Sequence, residues 1–266
     1  MLEYILKDNH ESADYVVFIH GLGGNSKVFY KQLAVFKRHF NILSIHLPGH
    51  GKSPKTTSYN EPFSIPVIAK EVIDVLDHLH IKRAHFVGIS LGSMVIQNIM
   101  SRIPERFQSA VMGGAVPKMN LIAKTAMLFG DLTKNILPHH ALYWMFAHIM
   151  MPRANHKAGR EAFIKEAKQL DRDDFFSWFN LAREPEASYK YIHRAYKVPK
   201  LFISGTQDHL YVKYVRKQIK TLKNAKLVEI PNCGHVCNIE KASRFNELAL
   251  DFVYDHIDIA SKSKAL

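Results

Sequence analysis

Apolar residues along this chain recur with two periods, and the segments that carry them alternate. Residues 15–20, Tyr-Val-Val-Phe-Ile-His, form an almost unbroken apolar run, as expected of a strand buried on both faces of a parallel sheet. Residues 2–6 read as an edge strand ahead of it. A helix is expected next, capped by Asn25 or Ser26, with Val28, Phe29, Leu33 and Phe36 on one face. Residues 41–46 form the following strand, ended by the turn Leu47-Pro-Gly-His-Gly51. Ser64 then caps a helix in which Ile68, Val72, Val75, Leu76 and Leu79 fall at helical spacing. A strand over 84–89, a helix over 91–103 stopped by Pro104, and a strand over 107–113 close the first half.

From about residue 117 to 198 strand signals vanish, and helical stretches rich in Met, Phe, Tyr, Trp and His take their place. Alternation resumes at Pro199, with a strand over 200–204, a helix over 212–222, a strand over 225–230 and a last helix over 241–256. Strand–helix alternation of this kind predicts βαβ units. The expected fold is α/β, with a mainly parallel sheet of about seven strands flanked by helices. Residues 1–116 and 199–266 build that core, and 117–198 enter it as a helical insertion.

The composition agrees with one globular unit: 266 residues, 47% apolar and 23% charged, without repeats or low-complexity runs. Glu3 among the first residues and a polar stretch by Asn9 argue against a secretory signal. No stretch approaches the roughly 18 apolar residues of a membrane span. A cytoplasmic location is therefore expected. The formal charge is +12, with a predicted pI near 9.5, and basic residues are dense over 190–200 and 213–226. No nucleic-acid-binding motif accompanies them, so no nucleic-acid partner is expected. They read first as solvated helix faces, and second as a source of weak peripheral contact with anionic membrane at its inner face. Cys233 and Cys237 flank His235 without a further ligand cluster, so no metal is expected; they read as small, half-buried residues beside a loop.

Gly88-Ile-Ser-Leu-Gly92 has the form G-x-S-x-G between a predicted strand and a predicted helix. In that context the serine sits on a tight turn, and the residues two before and two after it must lack colliding side chains. Ser90 is the candidate nucleophile. A serine hydroxyl needs a base within hydrogen-bond reach, and His235 lies in a loop between a predicted strand and the last helix. The base needs an acid to fix its tautomer, and Asp208 lies in the loop after the strand over 200–204. The order Ser90, Asp208, His235 leaves room for one helix and one strand between acid and base. His20-Gly-Leu-Gly-Gly24 follows the strand over 15–20, so the amide of Leu22, with that of Leu91, is the candidate oxyanion hole.

These motifs, together with Leu47-Pro-Gly-His-Gly-Lys-Ser53, resemble the esterase, lipase and C–C hydrolase branch of the α/β-hydrolase superfamily. The resemblance spans nearly the whole chain outside 117–198. It implies a cap domain over that segment and no cofactor. A serine nucleophile makes an acyl-enzyme, which leaves esters, thioesters, lactones and activated carbon–carbon bonds as substrates. The aromatic and Met-rich insertion suits an apolar chain, so a small-molecule carboxylic ester with an apolar acyl or alcohol part is favoured. Met119, Trp144 and Met145 are the candidate substrate-binding residues. A carboxylate-bearing metabolite is the alternative, with Arg153, Arg160, Arg183 or Arg194 as its cationic anchor. A slow-turnover ligand receptor or signalling protein on the same fold is a further alternative.

Overall fold

The computed structural model describes residues 1–9, 12–183 and 185–257. Strands β1 (Tyr4–Lys7) and β2 (Tyr15–Ile19) lead through a single 3-10 turn into helix α1 (Tyr30–Phe36). Asn25 caps that turn, its side chain accepting the Lys27 amide at 2.8 Å. Strand β3 (Asn41–Ile45), helix α2 (Ile65–His78), strand β4 (Ala84–Ile89), helix α3 (Leu91–Arg102) and strand β5 (Phe107–Gly113) follow. Ser64 stands at the N-cap of α2 but makes no side-chain cap bond. Pro66 occupies the second helical position, so one of the two amides that a capping hydroxyl would bind is missing.

Between β5 and the next strand lie α4 (Leu121–Thr133), α5 (His139–Met150), α6 (Lys157–Ala167) and α7 (Arg172–Leu181). Strand β6 (Lys200–Gly205), helix α8 (Val212–Ile219), strand β7 (Ala225–Ile230), the short α9 (Cys237–Glu240) and α10 (Ala242–Asp255) complete the order. The seven strands pair as β1-β3-β2-β4-β5-β6-β7, all parallel except β1, which runs antiparallel to β3.

Alternate residues along the central strands feed two cores, which is why the runs read as continuously apolar. Val17, Ile19, Leu43, Phe86, Met112 and Phe202 pack with α2, α3 and α8 on one side. Val16, Phe18, Ile42, Val87, Val111 and Ile203 pack with α1, α9 and α10 on the other. Two expectations need correction. Cys233 and Cys237 are fully buried, not half-buried, because the 233–237 segment is packed down onto the end of β6. Lys200 is not on a solvated face: its ammonium is buried and donates to the carbonyls of Ala195, Val198 and Lys223. Burial lowers its pKa to about 8.

Candidate active site

Ser90 joins β4 to α3 with φ +53° and ψ −116°. Its amide donates to Gly113 O at 2.9 Å, fixing the turn against the end of β5. The flanking glycines are required sterically. A Cβ on Gly92 would lie 2.1 Å from Ile19 O, and one on Gly88 would lie 2.6 Å from Ile96 Cδ1.

The loops after β6 and β7 bring two buried side chains to this turn. His235 Nδ1 lies 2.8 Å from Asp208 Oδ2, and its Nε2 lies 2.9 Å from Ser90 Oγ. An ionised carboxylate only accepts, so Nδ1 carries the proton and Nε2 is free to accept from the Ser90 hydroxyl. The two loops are packed backbone to backbone: Gln207 N donates to Cys233 O at 2.9 Å, and a Cβ on Gly205 would lie 2.2 Å from Cys233 O. Glu240, on α9, accepts the Gly234 and Val236 amides on either side of His235. Tyr211 packs its ring 5.2 Å from the His235 ring. Burial pushes its phenol well above the usual range, so it faces the site neutral.

The loop after β2 passes directly beside Ser90: a Cβ on Gly21 would lie 3.3 Å from Ser90 Cβ. Among the described residues, neither the Leu22 amide nor the Leu91 amide donates to a protein acceptor, and both residues border the cleft that Ser90 lines. Two buried histidines hold this loop to the turn after β3. His50 Nε2 accepts the Gly23 amide at 2.9 Å, and its Nδ1 donates to Pro48 O. His20 Nε2 accepts the Leu47 amide at 3.0 Å, and its Nδ1 donates to Gly21 O. Both roles require the neutral ring. Burial lowers His50 to about 4 and holds His20 well below its ordinary value. Tyr143, on α5, donates to Leu22 O at 2.6 Å.

The cleft encloses about 770 Å³, its open mouth included. Ser90, Leu22, Leu91 and Met94 form its floor, and α4 to α7 contribute Met127, Phe146, Phe163 and Phe179 to its walls. The lining side chains are apolar apart from Ser90, Tyr143 and Tyr211, and none is charged.

Of the residues singled out from sequence, Ser90, Asp208, His235, Leu22, Leu91 and Met119 converge here. Met145 is half-buried against the core and does not line the cleft. Trp144 is 53% exposed and stacks on His148; α5 turns that side of itself away from Ser90. None of the four candidate arginines reaches the lining. Arg160 donates to Met151 O, Arg183 pairs with Asp131 and Arg194 lies over Tyr191. His20, His50, Tyr143 and Glu240 were not singled out from sequence, although the twin His-Gly pairs at 20–21 and 50–51 were a visible signal. Among the described residues, no group of three His, Cys, Asp or Glu is arranged to hold a metal, and no helix is long and apolar enough to cross a membrane.

The family model for the α/β-hydrolase fold matches residues 14–242. Over 265 aligned residues the chain is 26% identical to an Acinetobacter baylyi protein named "Putative carbamate hydrolase RutD", covering 94% of this chain and 96% of that one. Among solved structures, a hydrolase from Oleispira antarctica superposes with a TM-score of 0.82 at 16% identity, over 94% of each chain. The enol-lactonase from Burkholderia xenovorans LB400 gives 0.76 at 23% identity, over 95% of this chain and 96% of that one. At such identities the two structures speak for the fold.

Proposed function

The chain belongs to the α/β-hydrolase family, and from that premise we propose that it is a serine hydrolase of carboxylic esters with an apolar acyl or alcohol part. The observation that carries this is the cleft: the Ser90 hydroxyl opens into an enclosure lined by Met, Phe, Leu and Ile side chains with no charged group among them. In the reaction, Ser90 Oγ attacks the ester carbonyl as His235 Nε2 takes its proton. Asp208 stabilises the imidazolium so formed. The amides of Leu22 and Leu91 hold the developing oxyanion, each contributing about 3 kcal/mol to the barrier lowering. His235 then protonates the leaving alkoxide, and water repeats the sequence in reverse to release the acid.

The carbamate in the name of the A. baylyi relative and the lactone of the B. xenovorans enzyme are open to the same acyl transfer. A carboxylate-bearing substrate would find no cationic partner on these walls, which is why the ester reading is preferred. A p-nitrophenyl ester series tests it. Each added acyl carbon should raise kcat/KM about fourfold, from ~0.8 kcal/mol per buried methylene, until the cleft is full. Ser90→Ala should abolish fluorophosphonate labelling and lower turnover by several orders of magnitude. A flat chain-length profile, or a carbamate turned over faster than every ester, would replace the ester reading. Turnover slower than about one per second on all of them would favour a receptor role.

A further inference from the structure

We propose that the outer face of α4, with the turn that follows it, is a docking surface for an anionic lipid bilayer. Through it the cleft draws its apolar substrate from the acyl layer; this second half rests on the ester reading, the docking itself does not.

Helix α4 turns mostly apolar side chains outward, with Lys124 and Thr125 exposed among them. Its inner side, Ala123, Ala126, Met127 and Gly130, is buried, and Ala123 and Met127 form part of the cleft wall. A helix that is half in a core ordinarily turns polar residues outward. Here Leu121, Leu128 and Leu132 form an outer stripe at positions i, i+7 and i+11, with Leu121 77% and Leu132 73% exposed. Ile122 and Phe129 flank the stripe, and Ile136, 80% exposed, extends it beyond the helix. Among the described residues twelve large apolar or aromatic side chains are exposed, and seven fall between 121 and 144. Scattered singly they would need no explanation; five on α4, with Ile136 just beyond it, mark an interaction site.

Charge selects the occupant. A second copy of the chain would itself carry a net +12, which disfavours self-association. The acid on α4, Asp131, is already paired with Arg183 and Lys134, so it offers little to a basic partner. Lys124 borders the apolar stripe, where an interfacial helix that sinks its apolar face into the acyl boundary would meet headgroups. An anionic bilayer satisfies both features. The opposite face of the same helix, through Ala123 and Met127, walls the cleft that Ser90 lines, so the docked surface lies one helix away from the reaction site.

The test is cosedimentation of the full chain with vesicles of phosphatidylcholine alone and of phosphatidylcholine with phosphatidylglycerol, read without substrate. The wild-type chain should sediment with the anionic vesicles and remain in the supernatant with the neutral ones. The combined variant Leu128→Ser, Leu132→Ser, Ile136→Ser should bind at least about a hundredfold more weakly, because binding scales with the apolar area inserted. Its turnover of a soluble short-chain ester should be unchanged, and Ser90→Ala should bind vesicles as the wild type does. That last comparison separates failure of docking from failure of the ester reading. The proposal is overturned if the wild type ignores both vesicle types, binds them equally, or binds no better than the triple variant. It is overturned too if the wild type is a dimer in solution that the triple variant converts to monomer.

Discussion

Ser90 is held at a positive φ that costs a non-glycine residue about 1–3 kcal/mol, and it persists because its surroundings leave no alternative. The amide is bound to Gly113 O, and the glycines on either side close on backbone and on Ile96. With the turn so rigid, the proposed reaction makes activity depend on the protonation state of one ring. In Asp208→Asn the carboxamide can donate to His235 Nδ1, which moves the proton to Nε2 and removes the acceptor that Ser90 needs. Turnover should fall by about four orders of magnitude with the circular dichroism spectrum unaltered; retention of most of it would mean that another group orients His235. These three residues were legible in the sequence because their motifs are local, each on a loop after a predicted strand. His50 and Tyr143 differ: a His-Gly pair is visible at 50–51, but the amide that His50 accepts is 27 residues away, and the carbonyl that Tyr143 reaches is 121 away. No local pattern encodes such a partner.

At the level of elements, strands and helices of the α/β core were read nearly in place, with β4, β5 and β7 matching residue for residue. Buried strands announce themselves as short apolar runs between turn residues. The helices between β5 and β6 were harder, for a physical reason. Both α4 and α5 are apolar on most sides, so periodicity shows that they are helices without showing which side faces inward. That is how Trp144 came to stand among the substrate-binding candidates, while Met127 and Phe146, which border the cleft, did not. The two cases separate by experiment. Met127→Trp should shorten the longest acyl chain accepted by at least one carbon in the ester series, because added bulk on the inner face of α4 takes up cleft volume. Trp144→Ala should leave that limit where it is. Equal effects from both would place the substrate elsewhere.

Over the whole molecule, the buried neutral histidines make stability depend on pH. His50 titrates near 6.5 in the unfolded chain but at about 4 in the folded one, so the unfolded state takes up protons that the native state refuses. Its contribution is complete above about pH 6.5 and is lost as pH falls toward 4, roughly 3 kcal/mol over that window. His20, also depressed by burial, acts in the same direction. The Tm should therefore drop steeply below pH 6.5, and less steeply in His50→Gln, whose carbonyl can still accept the Gly23 amide. An unchanged slope in that variant would assign the acid sensitivity to other groups. The same long-range bonding has a mechanical side. Tyr143 rides on α5, yet its hydroxyl grips the carbonyl of Leu22, the residue whose amide is the candidate anion donor. Roof and anion hole are thereby linked as a lever is to its load: α5 cannot swing outward to admit a bulky molecule without either dragging that peptide out of line or letting go of it.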